Sequence, residues 1–312
     1  MSKQETAHNL PFGRRQVEIT FPNRVLFPQD AITKQELVDY YVTHAAILLP
    51  YLKNRPLTMQ RYPEGIDHEG FYQKNAASYF PSWIKTVSVQ HEKRVVNYVV
   101  GNNVATLAYL VNQACITFHI WLSKIDKLYV PDRMIFDLDP SGRNFSDVRL
   151  VAQGVRTLLE RELGLVAFVM TTGSKGLHVW VPLKRKDHFE VVHDHAHDIA
   201  RIIHTRYPTL TTLEIRKEKR AGKIFIDYLR NSFSATGVAP YAVRALPKAP
   251  VATPLHWDEV SDRDLKPQRY TLKTIGKRLE SMEDPWQQFY AHARALTVAK
   301  KVVAELLKDI KQ

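Results

Sequence analysis

Two aspartates at alternate positions of a strand-like stretch are the residues with the clearest capacity for chemistry. Residues 134–140 read Met-Ile-Phe-Asp-Leu-Asp-Pro. In a β-strand, residues i and i+2 point to the same face, so Asp137 and Asp139 would present paired carboxylates on one side. Two such anions repel each other, and hard oxygen ligands suit magnesium or manganese. The pattern alone leaves a divalent metal site and two solvated acids at a strand end equally open.

A glycine-rich segment provides a second candidate site. Residues 171–178 read Thr-Thr-Gly-Ser-Lys-Gly-Leu-His, between two strand-like stretches. Backbone amides near glycine, with the hydroxyls of Thr172 and Ser174, suit phosphate oxygens, and Lys175 and His178 could add positive charge. The spacing differs from that of a Walker A loop. A plain hairpin turn would favour the same residue types, so the local pattern leaves both interpretations open.

A third candidate is the single acid in the apolar strand-like stretch 223–231, Asp227. A lone aspartate in such a strand is unfavourable unless it is paired or bound to metal. A salt bridge to Arg230 or Arg244 would satisfy it. It could equally be the third member of a carboxylate triad with Asp137 and Asp139, and three carboxylates can hold two metal ions for nucleotidyl transfer.

Three histidines on one predicted helix form a different pattern. His193 and His197 are spaced i,i+4, which places them on one helix face, and His195 lies between them. An HExxH motif is absent, and the sequence offers no evident third ligand. The pattern therefore favours a solvated helix face over a metal site.

Bulk composition points to a polyanionic partner. The chain of 312 residues carries 44 Lys and Arg against 32 Asp and Glu, a net charge of +12, which favours nucleic acid over a membrane surface. The single cysteine, Cys115, excludes an intramolecular disulfide and a cysteine-rich zinc site, and its apolar surroundings predict a core residue. The sequence lacks a signal-peptide pattern and an apolar stretch of ~20 residues, so we expect a cytoplasmic, nucleoid-associated protein without membrane contact.

The elements that must position these residues alternate between strand-like and helical patterns. Strands are predicted over 17–20, 56–61, 71–74, 86–100 with a turn at 91–94, 115–122, 133–139, 166–171, 177–182 and 223–228. Helices are predicted over 33–52 with Thr33 as N-cap, 103–113, 146–163, 188–206 and 284–310. Residues 1–15 are predicted to be a loose leader, 244–267 a Pro-rich extended segment, and 16–312 a single domain.

Five motifs in order along the chain resemble one family. They are FHIW (118–121), FDLDP (136–140), TTGSKGLHVWVPL (171–183), RAGKIFIDYLRNS (220–232) and APYAVRA (239–245). The set resembles the polymerase domain of the bacterial and archaeal ATP-dependent DNA ligase D, in the archaeo-eukaryotic primase superfamily. The resemblance implies an α/β (α+β) fold on the primase catalytic core, an RRM-like sheet unit packed with an N-terminal α/β module.

The same resemblance implies roles for individual side chains. Asp137, Asp139 and Asp227 match catalytic acids that bind two divalent ions, manganese or magnesium. His119 matches an essential histidine near the incoming nucleotide, although a lone histidine in an apolar strand is more typical of a core residue. The residues implied to contact the nucleotide are Thr172, Ser174, Lys175, His178 and Arg244. Arg230 lies where relatives vary, which leaves its role open.

DNA contacts are implied elsewhere in the chain. Arg24 and Lys34 match two basic residues that bind the 5′-phosphate of broken DNA, and arginine can hold phosphate in a bidentate manner. Phe71 and Tyr72 resemble an aromatic pair that packs on the template strand, whereas without the family they would be assigned to the core. Basic segments at 91–94 and at 216–220, which ends in Arg220, suit DNA contact or a solvated turn equally.

The sequence therefore predicts a template-dependent nucleotidyltransferase that fills gaps and extends ends in double-strand break repair by non-homologous end joining. The resemblance implies NTP or dNTP substrates with a preference for ribonucleotides, and gapped or broken DNA with a 5′-phosphate. We expect Ku and a DNA ligase to act in trans, because 312 residues leave no room for a ligase domain. The alternatives are a replicative-type primase and a DNA-end bridging module whose catalysis is incidental.

Overall fold

The structure is a computed structural model that describes residues 7–142 and 144–310. The chain forms two compact units. Unit 1 comprises the residues up to Trp121 together with Val238–Ala252 and Tyr270–Ser281, and unit 2 comprises Leu122–Gly237, Thr253–Arg269 and the residues from Met282 onward. The chain passes between the units several times, so no single cut in the sequence separates them. The single domain expected over 16–312 stays a prediction.

The strand-like stretches of the sequence form strands, and further short strands lie between them. In chain order they are β1 (His8–Phe12), β2 (Arg15–Ile19), β3 (Val25–Phe27), β4 (Ile32–Thr33), β5 (Leu57–Arg61), β6 (Phe71–Gln73), β7 (Thr86–Gln90), β8 (Val95–Val99), β9 (Cys115–Trp121), β10 (Arg133–Pro140), β11 (Phe168–Thr171), β12 (Leu177–Pro182), β13 (Thr211–Thr212), β14 (Ile224–Asp227), β15 (Thr236–Val238) and β16 (Thr253–Leu255).

Along the chain, most of the α-helices connect one strand to the next. They are α1 (Lys34–Thr43), α2 (Ala45–Leu52), α3 (Val104–Asn112), α4 (Phe145–Thr157), α5 (Phe189–Arg206), α6 (Trp257–Ser261), α7 (Ile275–Ser281) and α8 (Thr297–Asp309). Within the described ranges, no helix has both the length and the apolar character needed to cross a membrane.

Unit 2 is built on a six-stranded sheet in the order β13-β14-β10-β12-β11-β16. The strand that carries Asp137 and Asp139, β10, lies near the middle, with β12 and β14 antiparallel on either side. Helices α4 and α5 contact β10 and each other, so they cover the same face of the sheet. Their buried valine, alanine and isoleucine side chains supply the core on that side.

Unit 1 contains a four-stranded sheet in the order β15-β9-β5-β6, together with the hairpins β1–β2, β3–β4 and β7–β8. The central strand β9 is almost wholly buried, which agrees with its continuous apolar sequence. Cys115, at its start, is a buried core residue as predicted, and burial raises the pKa of its thiol.

Several predicted elements are confirmed with adjusted bounds. Thr33 caps α1 through a capping box, because its Oγ1 accepts a hydrogen bond from the Glu36 amide at 3.2 Å and the Glu36 carboxylate accepts one from the Thr33 amide at 2.8 Å. The helix predicted over 33–52 is divided at His44 into α1 and α2. The turn predicted at 91–94 joins the antiparallel strands β7 and β8.

Three predictions are wrong in the described residues. The leader expected to be loose forms β1 over residues 8–12, which pairs with β2, because alternate apolar residues let the two segments form a hairpin; residues 1–6 lie outside the described part. The extended segment predicted at 244–267 contains β16 and α6. The helix predicted over 284–310 is a short 3₁₀ turn, Phe289–His292, followed by α8. Aromatic packing holds that turn, since Trp286 and Phe289 are buried and stacked on each other.

Candidate active site

Register between two strands brings the predicted acids together in unit 2. Asp137 on β10 lies directly opposite Asp227 on β14, and Asp139 pairs with Phe225. Asp137 and Asp139 share one face of β10 because they are two residues apart. The side chains of Asp137 and Asp227 are only 15% and 14% exposed. Burying such a pair of carboxylates is costly unless positive charge or donors lie nearby.

Two arginines and a histidine supply that compensation. The Nε of Arg230 lies 3.1 Å from an Asp227 carboxylate oxygen and 3.4 Å from one of Asp137. The Nη1 of Arg220 lies 3.3 Å from Asp139. The acids are therefore held by cationic partners from the chain itself.

Burial still dominates the electrostatics of Asp227. Desolvation raises the pKa of its carboxyl above the ordinary range, and the neighbouring charge of Asp137 raises it further. Arg230, the amide of Leu229 and His178 act in the opposite direction. The Leu229 amide donates a hydrogen bond to Asp227 Oδ1 at 3.0 Å, which fixes the carboxylate at the end of its strand.

His178 connects the acids to the hydrophobic core. It is buried on β12, opposite Asp137, and its Nε2 lies 3.3 Å from Asp137 Oδ2. The indole Nε1 of Trp180 donates a hydrogen bond to His178 Nδ1 at 3.2 Å. Since Nδ1 accepts a hydrogen bond, the neutral imidazole carries its proton on Nε2, the nitrogen nearer to Asp137.

The glycine-rich loop between β11 and β12 passes over the acid-bearing strand. A Cβ at Gly176 would overlap the backbone oxygen of Leu138, so only glycine fits there. The hydroxyl of Thr172 accepts hydrogen bonds from the amides of Ser174 at 3.3 Å and Gly176 at 3.2 Å. Lys175 is exposed at the tip of the loop. The loop thus combines a hydroxyl that organises its own backbone with a lysine directed to solvent.

The donor set fits a hard divalent cation. Asp137 and Asp227 offer carboxylate oxygens to one common cationic group, the Arg230 guanidinium, which is the arrangement that a small cation would need. Asp139 lies on the same face of β10. Among the residues that the structure describes, no three His, Cys, Asp or Glu side chains are arranged to hold a metal ion as they stand. The three carboxylates are instead turned to Arg220, Arg230 and His178.

The residues implied to bind a 5′-phosphate lie together in unit 1. The β3–β4 hairpin brings them close, since the Lys34 amide donates to the Arg24 carbonyl at 2.8 Å. Arg24 is exposed and forms a 3.0 Å ion pair with Glu64. Lys34 is buried, its Nζ donates to the Thr20 carbonyl at 2.6 Å, and it lies over the exposed ring of Phe21. The hairpin thus holds two cationic groups beside an exposed aromatic side chain.

An exposed aromatic surface occupies the edge strand of the unit 1 sheet. Phe71 and Tyr72 on β6 are 46% and 60% exposed, which overturns the assignment to the core that the residues alone suggest. The Arg61 guanidinium lies over the Phe71 ring at 5.4 Å. His119 on β9 packs edge-on against Tyr72, with ring centroids 5.6 Å apart. Arg244 also belongs to unit 1, where its charge lowers the pKa of Tyr41 and Tyr62 against the dominant effect of their burial.

Two predicted residues are placed differently from expectation. Arg220 is buried, donates to the carbonyls of Glu214 and Ile215 at 3.1 and 3.0 Å, and lies 4.0 Å from the Phe225 ring centroid. The side chain is thus engaged within unit 2, whereas residues 216–219 beside it are exposed, and the DNA contact expected of Arg220 stays a prediction. His195 is buried rather than solvated, because it lies on the inner side of α5, and burial lowers its pKa to about 4.

Sequence reasoning missed one residue that organises the site. The buried side chain of Asn231 accepts a hydrogen bond from the Ile135 amide at 2.8 Å and donates to the carbonyls of Ile135 at 2.7 Å and Tyr228 at 2.8 Å. The Asn231 side chain therefore takes the place of a neighbouring strand backbone as hydrogen-bond partner of β10, beyond the end of β14. No periodicity or charge pattern marks such a residue, since asparagine after a strand is more typical of a turn.

Comparison with known proteins relates this fold, with its strand-borne aspartates beside a glycine-rich loop, to the primase-polymerase class. The family described as "LigD, primase-polymerase domain" matches residues 33–286. The chain belongs to that family, which confirms the resemblance and implies nucleotidyl transfer and the use of divalent metal.

Individual relatives agree with the family match. The chain is 34% identical over 266 residues to the multifunctional non-homologous end joining protein LigD of Mycolicibacterium smegmatis, which covers 83% of this chain and 35% of that protein. It is 32% identical over 287 residues to the protein of the same name from Pseudomonas aeruginosa, which covers 91% of this chain and 34% of that protein. The chain thus spans about a third of the length of these relatives.

A solved structure confirms the α/β fold. The polymerase domain from Mycobacterium tuberculosis ligase D, in complex with DNA, superposes with a TM-score of 0.83 at 30% identity. The similarity covers 89% of this chain and 99% of that one.

Proposed function

We propose that this protein is a template-dependent polymerase that fills gaps and extends DNA ends during non-homologous end joining. The observation that carries the proposal is the register of Asp137 against Asp227, with Asp139 on the same strand face, in a chain of the LigD primase-polymerase family. Such a carboxylate set suits two divalent ions, here manganese or magnesium, which when bound activate a 3′-hydroxyl and neutralise a triphosphate.

The side chains around the acids suit the nucleotide. In the reaction, the primer 3′-oxygen forms a bond to the α-phosphorus of an NTP while the bond to the leaving pyrophosphate breaks. Lys175 is exposed and free to approach a triphosphate. We assign Thr172 and Ser174, on the loop that the Thr172 hydroxyl organises, to the phosphate oxygens. His178 would orient Asp137 through its Nε2 proton. On the family resemblance, we also assign His119 and Arg244 to nucleotide binding. We also propose that the protein prefers ribonucleotides to deoxyribonucleotides as substrates.

Unit 1 would bind the DNA. Arg24 and Lys34 are assigned to the 5′-phosphate of a gapped or broken end, supported by their proximity on the β3–β4 hairpin and by the Phe21 ring beside them. Phe71 and Tyr72 are assigned to template bases, because exposed aromatic rings beside Arg61 offer a stacking surface. Ku and a DNA ligase would be the protein partners.

Primer extension on a short gapped duplex tests the function directly. The assay compares substrates with and without the downstream 5′-phosphate, ATP with dATP, and manganese with magnesium. We expect phosphate-stimulated addition of ribonucleotides, reduced about 1,000-fold or more in Asp227→Asn, since metal charge stabilisation contributes several kcal/mol. Asp126→Asn, which alters an exposed acid paired with Arg185, is the matched control and should retain activity.

The outcomes separate the alternatives. Extension that ignores the 5′-phosphate, with synthesis of dinucleotides on single-stranded DNA, would favour a replicative-type primase. Absence of extension under every condition, together with retained end binding, would favour a bridging module.

A second substitution tests the phosphate pocket. We expect the 5′-phosphate to stimulate extension by the native chain about tenfold through two charge-assisted contacts. The double variant Arg24→Gln with Lys34→Gln should lose this stimulation, and its KM for ATP should be unchanged. Lys53→Gln, an exposed lysine of the same unit, is the control. A double variant that folds and still prefers phosphorylated ends contradicts the assignment. Thermal melting verifies the fold, because Lys34 is buried.

A further inference from the structure

The two arginines that neutralise the acids differ in exposure. Arg220 is buried, and its guanidinium also donates to the carbonyls of Glu214 and Ile215. The side chain of Arg230 is 44% exposed. Arg230 is therefore the cationic partner that a dissolved ion reaches more readily.

The position of Arg230 is nevertheless built into the fold. It lies in the 3₁₀ turn Leu229–Asn231 that directly follows β14. The buried Asn231 amide fixes this turn to Ile135 of β10, and Asp227 accepts a hydrogen bond from Leu229 within it. These bonds direct Arg230 back toward the strand pair.

One guanidinium nitrogen then reaches an acid on each strand. Arg230 Nε lies within 3.4 Å of oxygens from both Asp137 and Asp227, the two acids that face each other in register. This is where a divalent ion would neutralise the same two carboxylates. A guanidinium and a metal ion cannot both occupy the space between them, since like charges at such distances repel strongly.

We propose that Arg230 is a resident cation of the acidic site, which holds Asp137 and Asp227 in register until a divalent ion displaces it and which thereby sets the metal affinity of the protein. The inference rests on the proposed function, because it requires metal binding at these acids. Arg230 is a positioning residue here, and it tunes affinity without entering the reaction.

Metal binding measured without catalysis tests this inference. Manganese is titrated into the protein without nucleotide or DNA, and the free ion is followed by its EPR signal. Arg230→Gln should bind manganese roughly tenfold more tightly than the native chain, because the ion no longer competes with a guanidinium. The manganese affinity of Arg230→Lys should lie between those of the native chain and Arg230→Gln, since lysine keeps the charge but lacks the planar guanidinium. Arg206→Gln removes an equal charge from an ion pair with Glu162 elsewhere in unit 2 and should change nothing.

Thermal melting provides a second readout. Without metal, Arg230→Gln should melt about 2–4 °C lower, because two buried carboxylates lose a shared partner. Saturating manganese should raise its melting temperature by more than that of the native chain and remove the difference.

The results distinguish two kinds of failure. Manganese binding that depends on Asp137 and Asp227 but is unchanged or weakened in Arg230→Gln overturns the inference and leaves the proposed function intact. Binding that persists in Asp137→Asn with Asp227→Asn, or no binding to any variant, overturns the metal site itself and the inference with it.

Discussion

The acidic site of unit 2 and the aromatic edge of unit 1 differ in the burial and the partners of their functional side chains. Asp137 and Asp227 are largely buried and have cationic partners from the chain itself. Phe71 and Tyr72 are about half exposed on an edge strand. The cationic partners thus stabilise the acids against repulsion and desolvation. The aromatic rings instead keep apolar surface exposed to water, which costs a free energy of about 25 cal/mol per Å².

The contrast has a physical basis in the two types of ligand. A small metal ion needs ligands held in a fixed arrangement, so the acids require a rigid strand pair and compensating charge before the ion binds. A nucleic-acid base needs only a flat apolar face, which an exposed ring already provides. We therefore expect the acidic site to be sensitive to small displacements and the aromatic edge to be tolerant.

Among the substitutions that test this contrast, the largest effect should follow from displacing the loop above the acids. In Gly176→Ala the new methyl group would overlap the Leu138 carbonyl, so β10 or the loop must move. We expect nucleotidyl transfer to fall about 100-fold, as for a misplacement of about 1 Å, with a loss of stability of about 1–3 kcal/mol.

Steady-state primer extension and urea unfolding measure these losses. Gly276→Ala is the control, because a Cβ there meets open space in α7, and it should be neutral or stabilising. Full activity in Gly176→Ala would show that the acidic site tolerates displacement as well as the aromatic edge does.

A buried polar group without compensation should produce an intermediate effect. His195 lies 5% exposed beside α8, and within the described residues its Nε2 has no hydrogen-bond partner. Lys300 also lowers its pKa, whereas Asp198 and Asp187 act in the opposite direction. Burial lowers the pKa of His195 to about 4 in the folded chain, below the ordinary value of 6.5 for histidine, so the unfolded chain takes up a proton first as the pH falls. Stability should therefore be fully present above about pH 6.5 and lost toward pH 4.

The expected loss attributable to His195 is about 2 kcal/mol between pH 7 and pH 5. Urea unfolding at the two pH values measures it, and the decrease should be smaller by that amount in His195→Gln. His193→Gln, at a half-buried position of the same helix, is the matched control for loss of a histidine. An equal decrease in the free energy of unfolding between the two pH values, for the native chain and for His195→Gln, would show that folding does not change the titration of this histidine.

The smallest effect should come from the aromatic edge. Tyr72→Ala removes one exposed ring, so we expect template affinity to fall about tenfold, at the low end of base stacking, with no change in melting temperature. Fluorescence anisotropy with a gapped duplex measures the affinity. Tyr129→Ala removes a comparably exposed ring from unit 2 and should bind DNA normally. Equal losses for both variants would indicate nonspecific contact and weaken the contrast between the regions.

Local sequence patterns determined most of the elements and the candidate residues. Apolar runs marked β10, β12 and β14, Thr33 marked the start of α1 as its N-cap, and ordered motifs identified the family. These features could be predicted because they depend on neighbours within a few positions of the chain. The pairing of Asp137 with Asp227 was expected from family resemblance, whereas their spacing of 90 residues carries no local signal.

Only the tertiary structure decided which charges meet. Arg220 and Arg230 have the same side chain and lie ten residues apart, yet one is buried against Asp139 and the other bridges Asp137 and Asp227. Strand register and the Asn231 amide determine that difference, and both depend on contacts about 80 to 96 residues distant in sequence. The exposure of Phe71 and Tyr72 was likewise decided by their place on an edge strand, because the same apolar residues on a central strand would have been core.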